Sequence, residues 1–350
     1  MVYSRLGYAG VVTGLLTTAG FSTVAAAQDE AYRVYIANEY GGNISVIDPE
    51  TEQVIATIPI TPENRVGEVR PRGMAVSPDG GTIYVAVSDF NPGVESDEDK
   101  IVAIEVATNE IVAEYYVGTD PERLALNPEG TQLWAANEDV AQATGFDLST
   151  GEQLGTFPTG IEPEGVAVSP DGSLAYVTGE SSHTLSIIDT QALEVITHIL
   201  VSQRPRDVVF SKDGGRAYVS GEIGGGVSVV DTESQQLIQT VDLGLDARPV
   251  ELVLSNDNSR LFVAGGGTST VYVIDTESFE VVDTVSEQMG RRPWGIDISP
   301  DGSLLYTANG LSDSVSVIDT VSLEVVANIG VGRGAHSVAI GTLPASGEGE

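Results

Sequence analysis

Five arginines open copies of one four-residue motif, and arginine is the side chain best built to grip a carboxylate through two parallel N–H donors. The copies are Arg70-Pro71-Arg72-Gly73, Arg204-Pro205-Arg206-Asp207, Arg248-Pro249-Val250-Glu251, Arg292-Pro293-Trp294-Gly295 and Arg333-Gly334-Ala335-His336. Two more open on acids, Asp120-Pro121-Glu122-Arg123 and Glu162-Pro163-Glu164-Gly165. With Arg291, these stretches hold nine of the chain's 16 Lys and Arg. A second series supplies carboxylates: Glu39, Asp89, Glu138, Glu180 and Glu222 each follow a short apolar run. Where both series meet, Arg–carboxylate pairs stapling loops together are the plainer reading for Arg70, Arg72, Arg204, Arg206 and Arg333. Two copies lack the acid. Arg248 is matched with Gly265-Gly266-Gly267, and Arg291 and Arg292 with Asn309-Gly310, where glycine leaves room for a ligand to approach backbone. Trp294, one of two tryptophans, stands beside them and is read either as a stacking face for a planar ring or as a packed cap. The candidate ligand-binding set is therefore Arg70, Arg72, Arg204, Arg206, Arg248, Arg291, Arg292, Trp294, Arg333 and His336. Asp120, Glu122, Glu138, Glu162, Glu164 and Glu180 are expected to make the opposite sector acidic.

Catalytic constellations are thin. The three histidines, His183, His198 and His336, do not make a three-histidine copper or zinc centre, although histidine with carboxylates can bind zinc. There is no Gly-x-Ser-x-Gly elbow and no His-Glu-x-x-His. Cysteine is absent, which excludes disulfides, thiolate metal sites, Cys-x-x-Cys-His haem attachment and Cys nucleophiles. Acids at Asp89, Glu95, Asp97, Glu98 and Asp99 offer oxygen ligands for calcium, but without EF-hand spacing they read better as a solvated acidic loop.

What must position these residues is a repeat. Its clearest copy is EPEGVAVSPDGSLAYVTGESSHTLSIIDTQALEVI, residues 162 to 196. A turn anchor, SPDG or a relative, recurs at Asp79, Glu129, Asp171, Asp213, Asp257 and Asp301. A strand-ending acid recurs at Asp48, Glu105, Asp147, Asp189, Asp231, Asp275 and Asp319, with intervals of 57, 42, 42, 42, 44 and 44 residues. Within one unit four β-branched runs alternate with turn dipeptides, and no helical period survives between them. Four strands in about 40–45 residues is the pattern of a β-propeller blade, which buries its faces only against neighbouring blades. The first unit begins at its second strand, YRVYIANE (Tyr32 to Glu39), and HSVAIG (His336 to Gly341) supplies the missing first strand. The expected fold is all-β: a seven-bladed β-propeller of four-stranded antiparallel blades, one blade shared between the two ends. The x-Pro loops and the ends of the second strands then ring one mouth of the central channel. The long first interval places insertions at Thr61 to Glu68 and about Phe90 to Asp99, on that same face.

Residues 1 to 27 read as a cleaved signal peptide, with Arg5 the only charge and Ala25-Ala26-Ala27 a cleavage site. The propeller is placed at 28–341 and an acidic C-terminal tail at 342–350. Removing the signal leaves 15 basic and 51 acidic residues, net −36. That charge excludes nucleic acid as a partner and disfavours anionic membranes. With two lysines, Lys100 and Lys212, it reads as salt adaptation in an exported, periplasmic or secreted protein that has no membrane span after cleavage.

YIAN (Tyr35 to Asn38), YVTG (Tyr176 to Gly179) and YTAN (Tyr306 to Asn309), together with SPDG and SVID, resemble the YVTN-type β-propeller repeat family over nearly the whole mature chain. RPRGMAVSPDG, EPEGVAVSPDG, QRPRDVVFSKDG, GEIGGGVSVVD, RPWGIDISPDG and YTANGLSDSVSVID are similar to exported propellers associated with pyrroloquinoline-quinone-dependent alcohol catabolism. GRGAH departs from that pattern, lacking Pro-Trp-Gly, and two tryptophans cannot carry the docking signature of the quinoprotein dehydrogenases. The resemblance implies a non-enzymatic binding or scaffold propeller accessory to a periplasmic quinone-dependent oxidation system. It would hold a small anionic ligand, pyrroloquinoline quinone among them, or a partner protein. The alternatives are a lactonase-like or metal-dependent hydrolase using mouth carboxylates, and a cell-surface interaction module.

Overall fold

The computed structural model describes residues 1, 31–60, 69–90, 96, 99–344. The expected signal peptide, the Thr61 to Glu68 insertion, residues 345–350 and Glu95, Asp97 and Glu98 lie outside them. The described strands form seven four-stranded antiparallel sheets, and the single helical element among the described residues is a 3-10 turn, Glu138–Val140. This is the seven-bladed propeller the repeat requires.

The shared blade, blade 1, pairs Ala335–Thr342 with Tyr32–Asn38, followed by Asn43–Asp48 and Gln53–Pro59. Tyr35 sits opposite both Val46 and Ala339, so the two chain ends meet in one ladder. The closing strand runs through Thr342, whose N–H donates to Gly80 O. Blades 2 to 7 open on the inner strands Val69–Val76, Pro121–Leu126, Pro163–Val168, Pro205–Phe210, Pro249–Leu254 and Pro293–Ile298. The inner strands of blades 1 to 7 pack in that order around the channel, and blade 7 closes back on blade 1.

Local chemistry fixes the turns. In the SPDG turns the Asp carboxylate accepts from the preceding Ser hydroxyl and from the backbone two residues on, as at Asp171 (Ser169 Oγ 2.6 Å, Ser173 N 3.0 Å). The glycine takes φ +73° at Gly172. Strand-ending acids cap the next turn the same way: Asp189 Oδ1 accepts from Gln191 N and Ala192 N. These bonds hold the Asp171 carboxyl below its ordinary range. Between blades, the tyrosine of each YIAN-like segment goes fully inside: Tyr35, Tyr176, Tyr218 and Tyr306 are at most 1% exposed. Burying such rings supplies about 1.5–3 kcal/mol each in the interface that makes neighbouring blades necessary to one another.

Candidate site at the channel mouth

The x-Pro loops and the second-strand ends do converge on one mouth, around a cavity of about 320 Å³. Its walls include Glu39, Arg70, Arg72, Glu122, Glu138, Glu164, Glu180, Arg204, Arg206, Arg292, Trp294 and His336. The left-handed backbone at Asp120, Glu162, Arg204, Arg248 and Arg292 (φ 47° to 58°) turns each loop into its inner strand just before the proline or its successor. Of the ten candidate residues, Arg70, Arg72, Arg204, Arg206, Arg292, Trp294 and His336 line this cavity. Arg248 lines an adjoining one with Arg204, Arg292 and Trp294. Arg291 and Arg333 line neither and stand exposed on the loops.

Four arginines are stapled. Arg70 reaches Asp120 (3.0 Å) and, more distantly, Glu39 (3.9 Å). Arg72 bonds Asp120 at 2.6 Å and pairs with Glu122. Arg206 donates to Glu222 and Glu180, each at 2.7 Å, and to Glu164. Arg204 pairs with Glu180 and lies 3.4 Å from Glu222. The acidic sector expected from sequence is therefore not a separate surface. Asp120, Glu122, Glu164 and Glu180 are partners of arginines projecting from an adjacent blade, because the long side chains lean sideways across the inter-blade gap. Two carboxyls nonetheless stay proton-rich. Burial, the hydrogen bond with Glu164 and the charge of Glu164 push Glu180 up to about 8. Burial pushes Glu138 up to about 7, with Arg72 pulling the other way. Burial works against the charge of Glu164, but Arg206 overcomes it and holds that carboxyl below its usual range. Glu138 and Glu180 offer oxygens within 4.8 Å of one another and of Glu162, and Glu138 does so again with Asp120 and Glu122.

The open basic sector keeps its cations. Among the described residues, Arg291, Arg292 and Arg333 have no carboxylate within 4.0 Å, and Arg248 meets only Glu222, at 3.9 Å with its own side chain 54% exposed. Arg333 was expected to pair through blade 1; Glu39 of that blade is turned to Arg70 instead. Trp294 is both a cap and a stacking face. The guanidinium of Arg292 lies 4.7 Å and that of Arg206 5.2 Å from its ring, and His336 packs 5.5 Å away. Trp294 Nε1 is buried without a hydrogen-bond partner among the described residues, as is His336 Nδ1. Burial first, then the charges of Arg123, Arg72, Arg206 and Arg70, push His336 well below the imidazole range, so it faces the cavity uncharged. His183 braces a loop, its Nδ1 accepting from Arg204 N, and His198 bonds Ser186 Oγ on an outer strand. In the acidic insertion, Asp99 is buried and its carboxylate accepts from Asp89 N and Ser96 N; burial pushes it up to about 6.

Sequence reasoning missed the floor. The fourth position of the motif runs Gly73, Arg123, Gly165, Asp207, Glu251, Gly295 and His336 around the channel. Each glycine packs against the next inner strand: a Cβ on Gly295 would lie 2.6 Å from His336 O and 2.7 Å from Ser337 Cα. The remaining four positions put polar side chains inward, and Arg123 of blade 3 pairs with Glu251 of blade 6 across the channel. Glu251 also accepts from Ile296 N (2.6 Å) and Ser337 Oγ (3.3 Å). The available signal was the alternation of glycine with charge at a position that in any propeller lies nearest the axis.

A family model for lactonases of the seven-bladed β-propeller type matches residues 201–322. No curated protein matches the chain. Among solved structures, the chain is similar to a functionally unknown protein from Desulfotomaculum acetoxidans DSM 771 (TM-score 0.74, 17% identity, 89% of this chain and 99% of that one). It is also similar to a candidate 6-phosphogluconolactonase from Bacteroides fragilis NCTC 9343 (0.70, 17%, 90% and 99%). A third is Kuenenia stuttgartiensis hydrazine synthase (0.64, 20%, 76% and 88%). At these identities the likeness is one of fold. Among the described residues no helix is long and apolar enough to cross a membrane.

Proposed function

We propose that the channel mouth binds a small carboxylated ring compound. One observation carries this reading: the Arg292 guanidinium lies 4.7 Å over the Trp294 ring, without a carboxylate partner among the described residues, at the edge of a cavity of about 320 Å³. That volume suits a small ligand. Arg292 and Arg248 would grip the carboxylate and the indole would stack the ring. The YVTN-type resemblance supports the same chemistry from another side, since pyrroloquinoline quinone is a planar tricarboxylate. On that view the exported protein serves a quinone-dependent oxidation system as a binding or scaffold component.

A second reading is favoured by the partial lactonase match and by the two proton-rich carboxyls: hydrolysis of a lactone carrying such a carboxylate. Glu138, near half-ionised at neutral pH, would take a proton from water as the water oxygen bonds the lactone carbonyl carbon. Glu180, still protonated, would give its proton to the ring oxygen as the ring C–O bond breaks. The arginines hold the substrate in both readings.

Calorimetric titration with pyrroloquinoline quinone, simple aromatic carboxylates and a carboxylated γ-lactone tests the first reading, on the wild type and on Arg248→Ala/Arg292→Ala. The double variant should lose ~1.5–3 kcal/mol per charged hydrogen bond removed. If no carboxylate binds the wild type, or the variant binds equally well, the arginines are structural. Base uptake in a pH-stat reports lactone opening, and its loss in Glu138→Gln and in Glu180→Gln would support the second reading.

A further inference from the structure

Capturing an anion at the mouth meets a charge problem that the arginines alone do not solve. Five arginines line the cavity, and so do five glutamates. Asp120 and Glu222 bind the same arginines from outside the lining and add two more carboxylates. Arg248, at the adjoining cavity, is offset by Glu162, which offers an oxygen within 4.8 Å of those of Glu138 and Glu180. His336 is uncharged, and the charge of Arg123 is matched by Glu251. Arg291 and Arg333 stand outside on the loops, where solvent screens them. With every carboxyl ionised the mouth is therefore negative, and it repels an entering carboxylate.

Two carboxyls of the lining are placed to remove that excess. Glu138 follows the second strand of blade 3, Gln132–Asn137, and its side chain is 26% exposed, so protons reach it from the cavity. It lies 3.7 Å from Arg72, a cation already paired with Asp120 and Glu122. Glu180 follows the equivalent strand of blade 4, Leu174–Gly179. It shares Arg206 with Glu164 and Glu222, shares Arg204 with Glu222, and is hydrogen-bonded to Glu164. Neither carboxyl has a cation to itself among the described residues, yet their oxygens come within 4.8 Å of one another. We propose that the mouth takes up its anion together with a proton, which lands on the Glu138–Glu180 pair; this rests on the anion-binding reading above.

The surroundings fix the sign of the coupling. Asp120, Glu122, Asp139, Glu162 and Glu164 face the pair as anions, against the cations of Arg72, Arg204 and Arg206. Burial is the first cause that holds both carboxyls in the neutral range, Glu138 at about 7 and Glu180 at about 8. A bound carboxylate is one more like charge in the same cavity, and it raises both values further. Between the free and the bound values, binding draws in protons. Affinity then falls as pH rises through that window, with a slope equal to the protons taken up. Below the window both carboxyls already carry their protons, and affinity levels off. The uptake belongs to the pair rather than to either residue, because the two titrate together.

Calorimetry on the full chain tests the coupling, with naphthalene-2-carboxylate, ionised throughout, and its uncharged carboxamide as probes. Two buffers of different ionisation enthalpy report the protons taken up. The carboxylate should bind about tenfold more weakly at about pH 8.5 than at about pH 6, with uptake of at least about half a proton near pH 7.5. The carboxamide should bind equally at every pH. Glu138→Gln fixes that site uncharged, so at the higher pH it should bind the carboxylate several-fold more tightly than the wild type. Glu138→Gln/Glu180→Gln should give a flat profile with no uptake. The proposal is overturned if the wild type binds the carboxylate with a flat profile and no buffer dependence, which leaves the anion-binding reading standing. It is also overturned if the carboxamide follows the same profile, if the double variant keeps the uptake, or if added calcium rather than acid restores binding at high pH. No binding of the carboxylate at any pH overturns the anion-binding reading and the coupling together. Should the double variant not fold, the wild type and Glu138→Gln still decide.

Discussion

Arg206 is the hub of the mouth, and replacing it with methionine should expose how that network is held. Its guanidinium serves Glu164, Glu180 and Glu222 from a side chain only 10% exposed. In Arg206→Met the methionine fills much of the volume, so the cost is electrostatic rather than a cavity. Arg204 remains beside Glu180 and Glu222. Glu180 already sits at about 8 and carries its proton at neutral pH. Glu164 loses its ion-pair partner and keeps only the hydrogen bond with Glu180 and the charge of Arg123. Breaking a buried pair by removing one partner costs about 3–5 kcal/mol. For a chain of this size that corresponds to a melting temperature lower by roughly 4–8 °C. The pH dependence has a definite sign. In the wild type the Glu164 carboxyl is held low, so its contribution is present above the unfolded glutamate range, near 4.3, and fades as pH falls through the folded value. In the variant the same group is buried without its ion-pair partner, and burial, the largest influence on it, outweighs the charge of Arg123 and the Glu180 hydrogen bond, so its folded pKa rises above the unfolded one and folding takes up a proton. Variant stability then increases as pH falls. The gap between wild type and variant should therefore be widest near pH 8 and narrow towards pH 5. Urea unfolding at both pH values, with equal m-values, reads this directly. A deficit under about 1 kcal/mol, or one that does not change with pH, would refute the charge-hub account. Adding Glu164→Gln to Arg206→Met should restore much of the loss.

Three other outcomes follow from the fold. Deleting residues 336–350 removes the inner strand of the shared blade and should abolish cooperative unfolding, since the ~5–15 kcal/mol of a typical domain depends here on closure; a truncated protein melting like the full chain would contradict it. Gly295→Ala places a methyl against backbone at 2.6 Å and should cost about 1–3 kcal/mol, seen as a lower urea midpoint at unchanged m. Raising sodium chloride to about 1 M shortens the screening length to about 3 Å and should raise the melting temperature of a chain with formal net charge −35; a flat or falling curve would count against salt adaptation.

The blades were legible because their signals are local and repeat. An SPDG turn, a run such as AYVT and a strand-ending aspartate each satisfy their own hydrogen bonds within a few residues, as Asp171 and Asp189 do. Seven copies in phase then leave one strand missing at the start and one spare at the end. The partners at the mouth were legible only in part: Arg204 and Arg206 do reach Glu222, the acid of their own blade, but the other pairs are set between blades. Arg72 was matched by sequence with the acid closing its own hairpin, yet it bonds Asp120 and Glu122, about fifty residues away. Arg333 was matched with Glu39, which turns to Arg70. A repeat tells which loop a side chain starts from, and a long flexible side chain then reaches whichever neighbour the blade tilt brings closest. The short-range residues show the converse. Gly73, Gly165 and Gly295 have no side chain to redirect, and a Cβ at each would meet the next blade's backbone. Their places in the motif therefore say where adjacent inner strands touch, and so which copies are left to send charge inward. Arg123 and Glu251 occupy two of those places. On this argument the glycine pattern of the motif, more than its arginines, carries the information about how the channel is closed at its waist.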